Sequence, residues 1–195
     1  MKTFKINSIE NWCNMIMVLI FLGLASCDSN KAATNESTSK ASVPSMTIHE
    51  ATFMGDIETV KAHVVAKTDL NEVDAYGSAP LAIAATFGKT DVAKLLIQSG
   101  ADLNVRSADG STPLHTSAFF CRVEIVKALL KKGADTSIRN NFGATALESV
   151  MTPFNDVKMV YEQLSRDLGP FGLKLDFDYL EKTRPEIATL LMNNQ

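Results

Sequence analysis

The middle of this 195-residue chain repeats itself with a fixed period. Two residue types mark the period at equal intervals: Gly77, Gly110 and Gly143 (110 − 77 = 143 − 110 = 33), and Asp69, Asp102 and Asp135. The same spacing relates Pro80 to Pro113, and it also relates three leucines: Leu81, Leu114 and Leu147. Because a whole set of residue types recurs together, the period predicts a repeated unit of turn, short helix, short helix and turn, which buries its apolar face by stacking on its neighbours.

The clearest copy of the unit begins Thr112-Pro113-Leu114-His115 and closes Gly133-Ala134-Asp135. Thr112 suits the cap of a first helix, and Pro113 suits the first helical position because its missing N–H costs nothing there. Gly133 is expected to end the second helix in the left-handed conformation. This copy resembles an ankyrin repeat. The resemblance implies an all-α solenoid of about four helix-turn-helix repeats.

Setting the units on this register predicts an ankyrin-repeat domain over 45–195, with repeats at 45–77, 78–110, 111–143 and 144–195. The last repeat is interrupted. The segment that begins at Glu186 resembles the one that begins at Glu124, but their numbers differ by more than one period (186 − 124 = 62, instead of 33). An insertion near 154–184 accounts for the excess (62 − 33 = 29).

The insertion is expected to contain an amphipathic helix. Asn155 or Asp156 could cap it, and its apolar residues fall on one stripe: Val157, Val160, Tyr161, Leu164 and Leu168. The sequence Thr183-Arg184-Pro185-Glu186 then predicts the start of the last helix through a capping box and an early proline. Two interpretations of the insertion stay open: it covers the exposed end of the stack, or it is a docking surface.

The segment 1–26 differs from the rest of the chain and predicts an export signal. Lys2 and Lys5 precede an apolar run that is too short to span a bilayer comfortably. The run ends at Leu24-Ala25-Ser26-Cys27, which resembles the signal of bacterial lipoproteins and implies that Cys27 carries lipid. Asp28 resembles the residue that keeps such proteins in the inner membrane. An uncleaved N-terminal anchor helix is the alternative.

Residues 27–44 are small and polar, so they cannot bury enough apolar surface to fold. We expect them to form a disordered tether between the lipid and the repeats. The predicted location is therefore the outer side of a cell membrane, facing the periplasm or the exterior. Without Cys13 and Cys27, Cys121 is the one remaining thiol of the mature chain, which excludes an intrachain disulfide there.

Charge and motif content favour a binding protein over an enzyme. Removing Lys2, Lys5 and Glu10 from 19 basic and 22 acidic side chains leaves a net charge of −4, so a nucleic-acid partner is disfavoured. The three histidines lie at positions that the repeat defines, and the resemblance implies structural hydrogen bonds for His49 and His115. We expect no cofactor, metal or small-molecule substrate. An enzyme that uses the insertion would need acids, and three are available: Glu162, Asp167 and Asp176.

The resemblance also implies which residues line the concave face, namely the ends of the first helices and the hairpin tips. In this chain those positions are rich in aromatic residues and arginine, which protein interfaces favour. The candidate partner-binding residues are Phe53, Met54, Tyr76, Phe87, Arg106, Asp109, Phe119, Phe120, Arg139 and Phe142. Met54, Phe87 and Phe120 are predicted to form one exposed column. The alternative is that these rings pack against each other.

The predicted function is a membrane-anchored module of the bacterial cell envelope that binds a protein partner. An inhibitor or immunity protein, which would block a periplasmic enzyme or toxin with the same face, is the alternative.

Overall fold

The computed structural model describes residues 43–194, and the regular structure within them is entirely helical. The first three repeats each contribute two helices: α1 Ile48–Met54 and α2 Ile57–Val65, α3 Pro80–Phe87 and α4 Thr90–Gln98, α5 Pro113–Phe119 and α6 Val123–Lys131. The fourth repeat contributes α7 Ala146–Met151 and α9 Phe177–Met192. Helix α8, Phe154–Leu168, and a 3-10 turn, Gly169–Phe171, lie between them. The predicted all-α solenoid is confirmed.

The first helices begin where local chemistry satisfies their free N–H groups. The Thr47 hydroxyl accepts from the Glu50 backbone N–H at 3.2 Å, and the Glu50 carboxylate accepts from the Thr47 N–H at 3.0 Å. Thr145 and Glu148 make the same reciprocal pair at α7. In α3 and α5 a proline takes the first helical position instead. These two devices set the start of each repeat.

Each repeat packs on the next through both of its helices. The first helices α1, α3, α5 and α7 contact one another in sequence, and the second helices α2, α4, α6 and α9 form a parallel row. Large apolar side chains between the rows are almost fully buried: Leu81, Leu96, Leu114, Ile125, Leu129 and Ile187. The core is therefore continuous along the stack, and each repeat depends on its neighbours for burial.

Histidine side chains hold the turns and loops of the stack. His49 Nε2 donates to the Glu72 carbonyl at 2.8 Å, and His115 Nε2 donates to the Ala144 carbonyl at 3.0 Å. The structural role predicted for these two histidines is confirmed. His63 is also buried, with Nε2 2.8 Å from the Met46 carbonyl. Burial lowers the pKa of His115 and so favours its neutral imidazole.

The last helix begins earlier than the sequence predicts. The predicted start at Thr183–Glu186 is wrong, because α9 starts at Phe177 and Pro185 lies inside it. Asp176 caps α9 by accepting from the Tyr179 N–H at 3.0 Å. A proline inside a helix frees the carbonyl four residues before it, here that of Glu181. Glu181 and Pro185 are both exposed, so water can satisfy that carbonyl.

The insertion helix also differs in its start and its position. Helix α8 begins at Phe154, after Pro153, so neither Asn155 nor Asp156 caps it. The Phe154 ring is stacked 5.8 Å from the Tyr161 ring, and this packing extends the helix beyond either predicted cap. Its buried side chains contact the third repeat at the turn between α5 and α6, instead of simply covering the end of the stack. Within residues 43–194, every helix is too short or too polar to cross a membrane.

Candidate partner-binding ridge

The ends of the first helices form an apolar ridge that runs from repeat to repeat. We define the ridge by Phe53 and Met54 of α1, Phe87 of α3, and Phe119 and Phe120 at the end of α5. Each first helix must stop here so that the chain can turn into the second helix. Gly55 (φ 80°) and Gly88 (φ 65°) make these turns in the left-handed conformation.

The ridge is open in the first two repeats. Met54 is 67% exposed, and Phe53 and Phe87 are half-buried. The rings of Phe53 and Phe87 meet edge to face, with centroids 4.8 Å apart and planes at 82°. This ring pair links the first repeat to the second, and the residue that follows Phe53 in the chain, Met54, is exposed to solvent. We call Phe53, Met54 and Phe87 the open part of the ridge.

The ridge is covered in the third repeat. Phe120 is only 6% exposed and packs with Val160 and Leu164 of α8 and with Leu173. The predicted exposed column is therefore wrong for Phe120, although Phe120 lies at the same repeat position as Met54 and Phe87. The repeat period predicts only contacts that recur in each repeat. The insertion occurs once, so the period does not predict that α8 covers Phe120. We call Phe119 and Phe120 the covered part of the ridge.

A buried hydrogen-bond chain fastens α8 to the covered part. The Tyr161 ring stacks on Phe119 at 4.5 Å, and its hydroxyl donates to the Phe119 carbonyl at 2.6 Å. Arg184 of α9 donates to the same hydroxyl at 2.8 Å and to the carbonyls of Ser149 and Thr152 at 3.0 and 2.6 Å. Burial raises the pKa of Tyr161, which keeps its proton available for donation.

The role of Arg184 was not predicted from the sequence, although the repeat spacing contains a signal for it. Arg184 follows Arg122 by the same offset that relates Glu186 to Glu124 (184 − 122 = 186 − 124). Arg122 donates to the Thr86 carbonyl at 3.0 Å, and its guanidinium carbon lies 5.9 Å from the centre of the Phe120 ring. Both arginines therefore satisfy carbonyls near the C-terminus of a first helix.

Lysine takes the same place in the second repeat. Lys89 Nζ lies 3.4 Å from the Met54 carbonyl, across the turn from the ridge. Burial lowers the pKa of Arg122, which lies deeper in the fold. Positive side chains at these turns offset the negative ends of the helix dipoles. The side chains of the ridge are therefore apolar, while lysine and arginine side chains of the same protein contact the backbone carbonyls at these helix ends.

The hairpin tips contain the other predicted binding residues. Tyr76 is 51% exposed. Arg106 and Arg139 are also exposed, but both donate hydrogen bonds within the protein. Arg106 Nη2 donates to the Arg139 carbonyl at 2.9 Å, and Arg139 Nη2 donates to Glu148 Oε1 at 2.9 Å. The latter pair raises the pKa of Arg139 and lowers that of Glu148.

Two further tip residues, Asp109 and Phe142, are less exposed. Asp109 accepts from the Ser111 N–H at 3.0 Å and the Ser107 hydroxyl at 2.6 Å, which closes the hairpin turn. Phe142 is half-buried. The tips thus leave Tyr76 as the exposed ring nearest in sequence to the open part of the ridge.

Two of the three acids that the sequence offers for catalysis, Asp167 and Asp176, have structural partners. Asp176 caps α9, and both Asp167 carboxylate oxygens accept from Gln163 Nε2, at 2.8 and 2.9 Å. Among residues 43–194, no cluster of His, Cys, Asp and Glu side chains could hold a metal ion. These contacts offer no pair of groups poised for acid–base chemistry.

Cys121 occupies the turn position at which Gly55 and Gly88 lie in the earlier repeats. Its φ of 52° is in the left-handed region, and its side chain is 1% exposed. The thiol points to the Leu180 carbonyl at 3.7 Å. Burial raises the pKa of Cys121 to about 11, so the reactive thiolate is scarce at neutral pH.

Comparison with known proteins agrees with this geometry. A family model for ankyrin repeats, with three copies, matches residues 48–140. Among solved structures, the chain is similar to the crystal structure of the ankyrin repeat domain of Bcl-3, described as a unique member of the IkappaB protein family, with 30% identity and a TM-score of 0.51. That similarity covers 52% of this chain and 45% of that chain, so this protein spans less than half the length of that relative. A search of curated proteins gave no match.

The repeated turns and helices, the family match and the structural similarity lead to the same assignment. Ankyrin repeats are protein-interaction scaffolds and are generally non-enzymatic. Residues 48–140 match the ankyrin-repeat family, and the described residues fold as an ankyrin-repeat-type solenoid.

Proposed function

We propose that this protein is a membrane-anchored interaction module of the bacterial cell envelope, which binds a protein partner and catalyses no reaction. The observation that carries the proposal is the open part of the ridge. There, a 67% exposed methionine directly follows Phe53 of the Phe53–Phe87 ring pair, on a scaffold that binds proteins in other chains.

The residues of the open part suit a binding surface. Aromatic residues and methionine are enriched in the cores of protein interfaces, and aromatic residues are frequent among the anchors that dominate binding energy. Methionine adapts its shape to a partner because its side chain is unbranched. The edge-to-face contact holds the two rings in place before a partner arrives, so less conformational entropy is lost on binding.

The proposed membrane anchor lies outside the described residues. It is supported by the apolar run that ends at Leu24-Ala25-Ser26-Cys27 and by the polar segment that follows. With two or more acyl chains on Cys27, the repeats would be held stably at the membrane. Labelling cells with a clickable fatty acid tests this part. We expect the wild-type protein to be labelled and Cys27→Ala to remain unlabelled and unprocessed, and equal labelling of the two would contradict the anchor.

Crosslinked capture from membranes tests partner binding by the full-length protein. Wild type should retain a specific partner, and Met54→Glu should lose it because a charge replaces an apolar contact. Met192→Glu is the matched control, since Met192 is 50% exposed at the end of α9 and away from the ridge. Equal recovery from wild type and Met54→Glu would contradict the proposed site.

The composition of the captured material separates a general module from an inhibitor. One enzyme or toxin, held tightly and inactive, would favour the inhibitor or immunity protein. Several weakly held partners would favour a scaffold.

A further inference from the structure

The insertion helix shows what kind of structure the ridge accepts. Val160, Tyr161 and Leu164 are the buried residues of α8, and they lie on one stripe of the helix. This stripe packs on Phe119 and Phe120, while Lys158 and Met159 on other faces are exposed. The covered part of the ridge is thus occupied by an amphipathic helix that belongs to the same chain.

The open part repeats the chemistry of the covered part. Phe53-Met54 and Phe119-Phe120 lie two repeat lengths apart, and each pair places an aromatic residue before a second large apolar one. Phe87 connects the two parts, because it packs against the cluster formed by Phe120 with the insertion and also contacts the Phe53 ring. The helix-binding surface therefore continues without interruption from the third repeat into the first.

We propose that Phe53, Met54 and Phe87 are a docking site for an amphipathic helix of a partner protein, which would lie on the ridge as α8 lies on Phe119 and Phe120. The inference rests on the proposed function and names the class of partner. Such a helix would present small aliphatic residues three or four positions apart, as α8 presents Val160 and Leu164.

Two features of the structure favour a partner helix over other occupants. An extended peptide gains affinity by pairing with a sheet edge, and residues 43–194 contain no strand to pair with. A second copy of this chain could not supply its own α8, because Val160, Tyr161 and Leu164 are already buried against the third repeat. These two features favour a helix from another protein as the occupant.

A synthetic helix tests the proposal on the full-length protein. The probe is a fluorescent peptide of residues 154–168, held helical by a lactam bridge between Lys158 and Glu162, since an unconstrained helix of this length is marginal in water. The control peptide carries Asp at the positions of Val160 and Leu164. We expect saturable binding of the first peptide in fluorescence anisotropy, at least tenfold weaker binding of the control, and at least tenfold weaker binding to Met54→Glu than to Met192→Glu.

Four results would overturn the helix-docking site. They are absent saturable binding, equal binding of the two peptides, binding that Met54→Glu leaves unchanged, and a Met54-dependent dimer in sedimentation without peptide. Met54-dependent binding to vesicles of phosphatidylethanolamine and phosphatidylglycerol, with no peptide binding, would instead show a lipid-facing patch. If the peptide fails while membrane capture still requires Met54, the proposed function stands and the partner is not a helix. If capture is also insensitive to Met54→Glu, the proposed function fails too.

Discussion

The first two repeats and the third repeat carry the same apolar ridge, but the protein uses it differently. In the first two repeats Met54 is exposed and Phe87 is half-buried, whereas in the third Phe120 lies under α8. The difference shows that the repeat period determines the backbone conformation and the equivalent position of each ridge side chain. The insertion, which does not repeat, determines which of these positions remain available for a partner.

Replacing the equivalent phenylalanines should give the largest contrast. Phe120→Ala removes a ring enclosed by α8, so we expect a loss of about 3–5 kcal/mol in the free energy of unfolding. Phe87→Ala, at the same position one repeat earlier, should cost about 1 kcal/mol because its ring is only half enclosed. Urea denaturation of the two variants measures both values. Equal losses would show that the ridge is not divided into open and covered parts.

The hydroxyl of Tyr161 should matter next. Tyr161→Phe keeps the ring stacked on Phe119 but removes the buried hydroxyl that links the Phe119 carbonyl to Arg184. We expect a loss of about 1–3 kcal/mol. Tyr179→Phe is the control, because its hydroxyl lies 3.4 Å from the Cys121 carbonyl and its side chain is 47% exposed. A loss as small as that of the control would mean that the hydrogen-bond chain does not hold α8.

Acid should weaken the stack through His115 by a smaller amount. The folded state lowers the pKa of this imidazole from 6.5, so the unfolded chain takes up a proton more readily than the folded one. The stability contributed by the neutral ring is present above about pH 6.5 and is lost as pH falls below it. Thermal melts between pH 7.5 and 5.5 should show this decline, and His115→Asn should be less stable throughout and lose less on acidification. An identical pH slope in wild type and variant would contradict the assignment.

The smallest effect should be seen at Cys121, whose thiol should be protected from chemical modification without a change in stability. At pH 7 a maleimide should modify Cys121 only as the protein unfolds, because the side chain is buried and its pKa is raised to about 11. Mass spectrometry distinguishes Cys121 from Cys13 and Cys27. Rapid modification of Cys121 in the folded protein would show that the third-repeat turn opens and that α8 and α9 do not seal it.

The repeats could be predicted from the sequence because their contacts recur and leave a periodic signal. Thr112, Pro113 and His115 each have a local role that is visible in one copy of the unit. The position of α8 could not be predicted in this way. Its amphipathic stripe indicated a helix with a buried face. That face packs on Phe120, which is distant in sequence, and the contact occurs only once, so it leaves no periodic signal. The start of α9 could not be predicted for a related reason. Tertiary packing and the Asp176 cap extend α9 through Pro185, although proline is frequent at the first position of a helix.

Photo-crosslinking from the ridge tests the central claim most directly, namely that the open part of the ridge is the surface that meets a partner. Benzoylphenylalanine would replace Met54 or, as the control, Met192 in the full-length protein, and membranes would be irradiated. We expect discrete protein adducts from position 54 and none from position 192. The same adducts from both positions, or an adduct from position 192 alone, would contradict the claim.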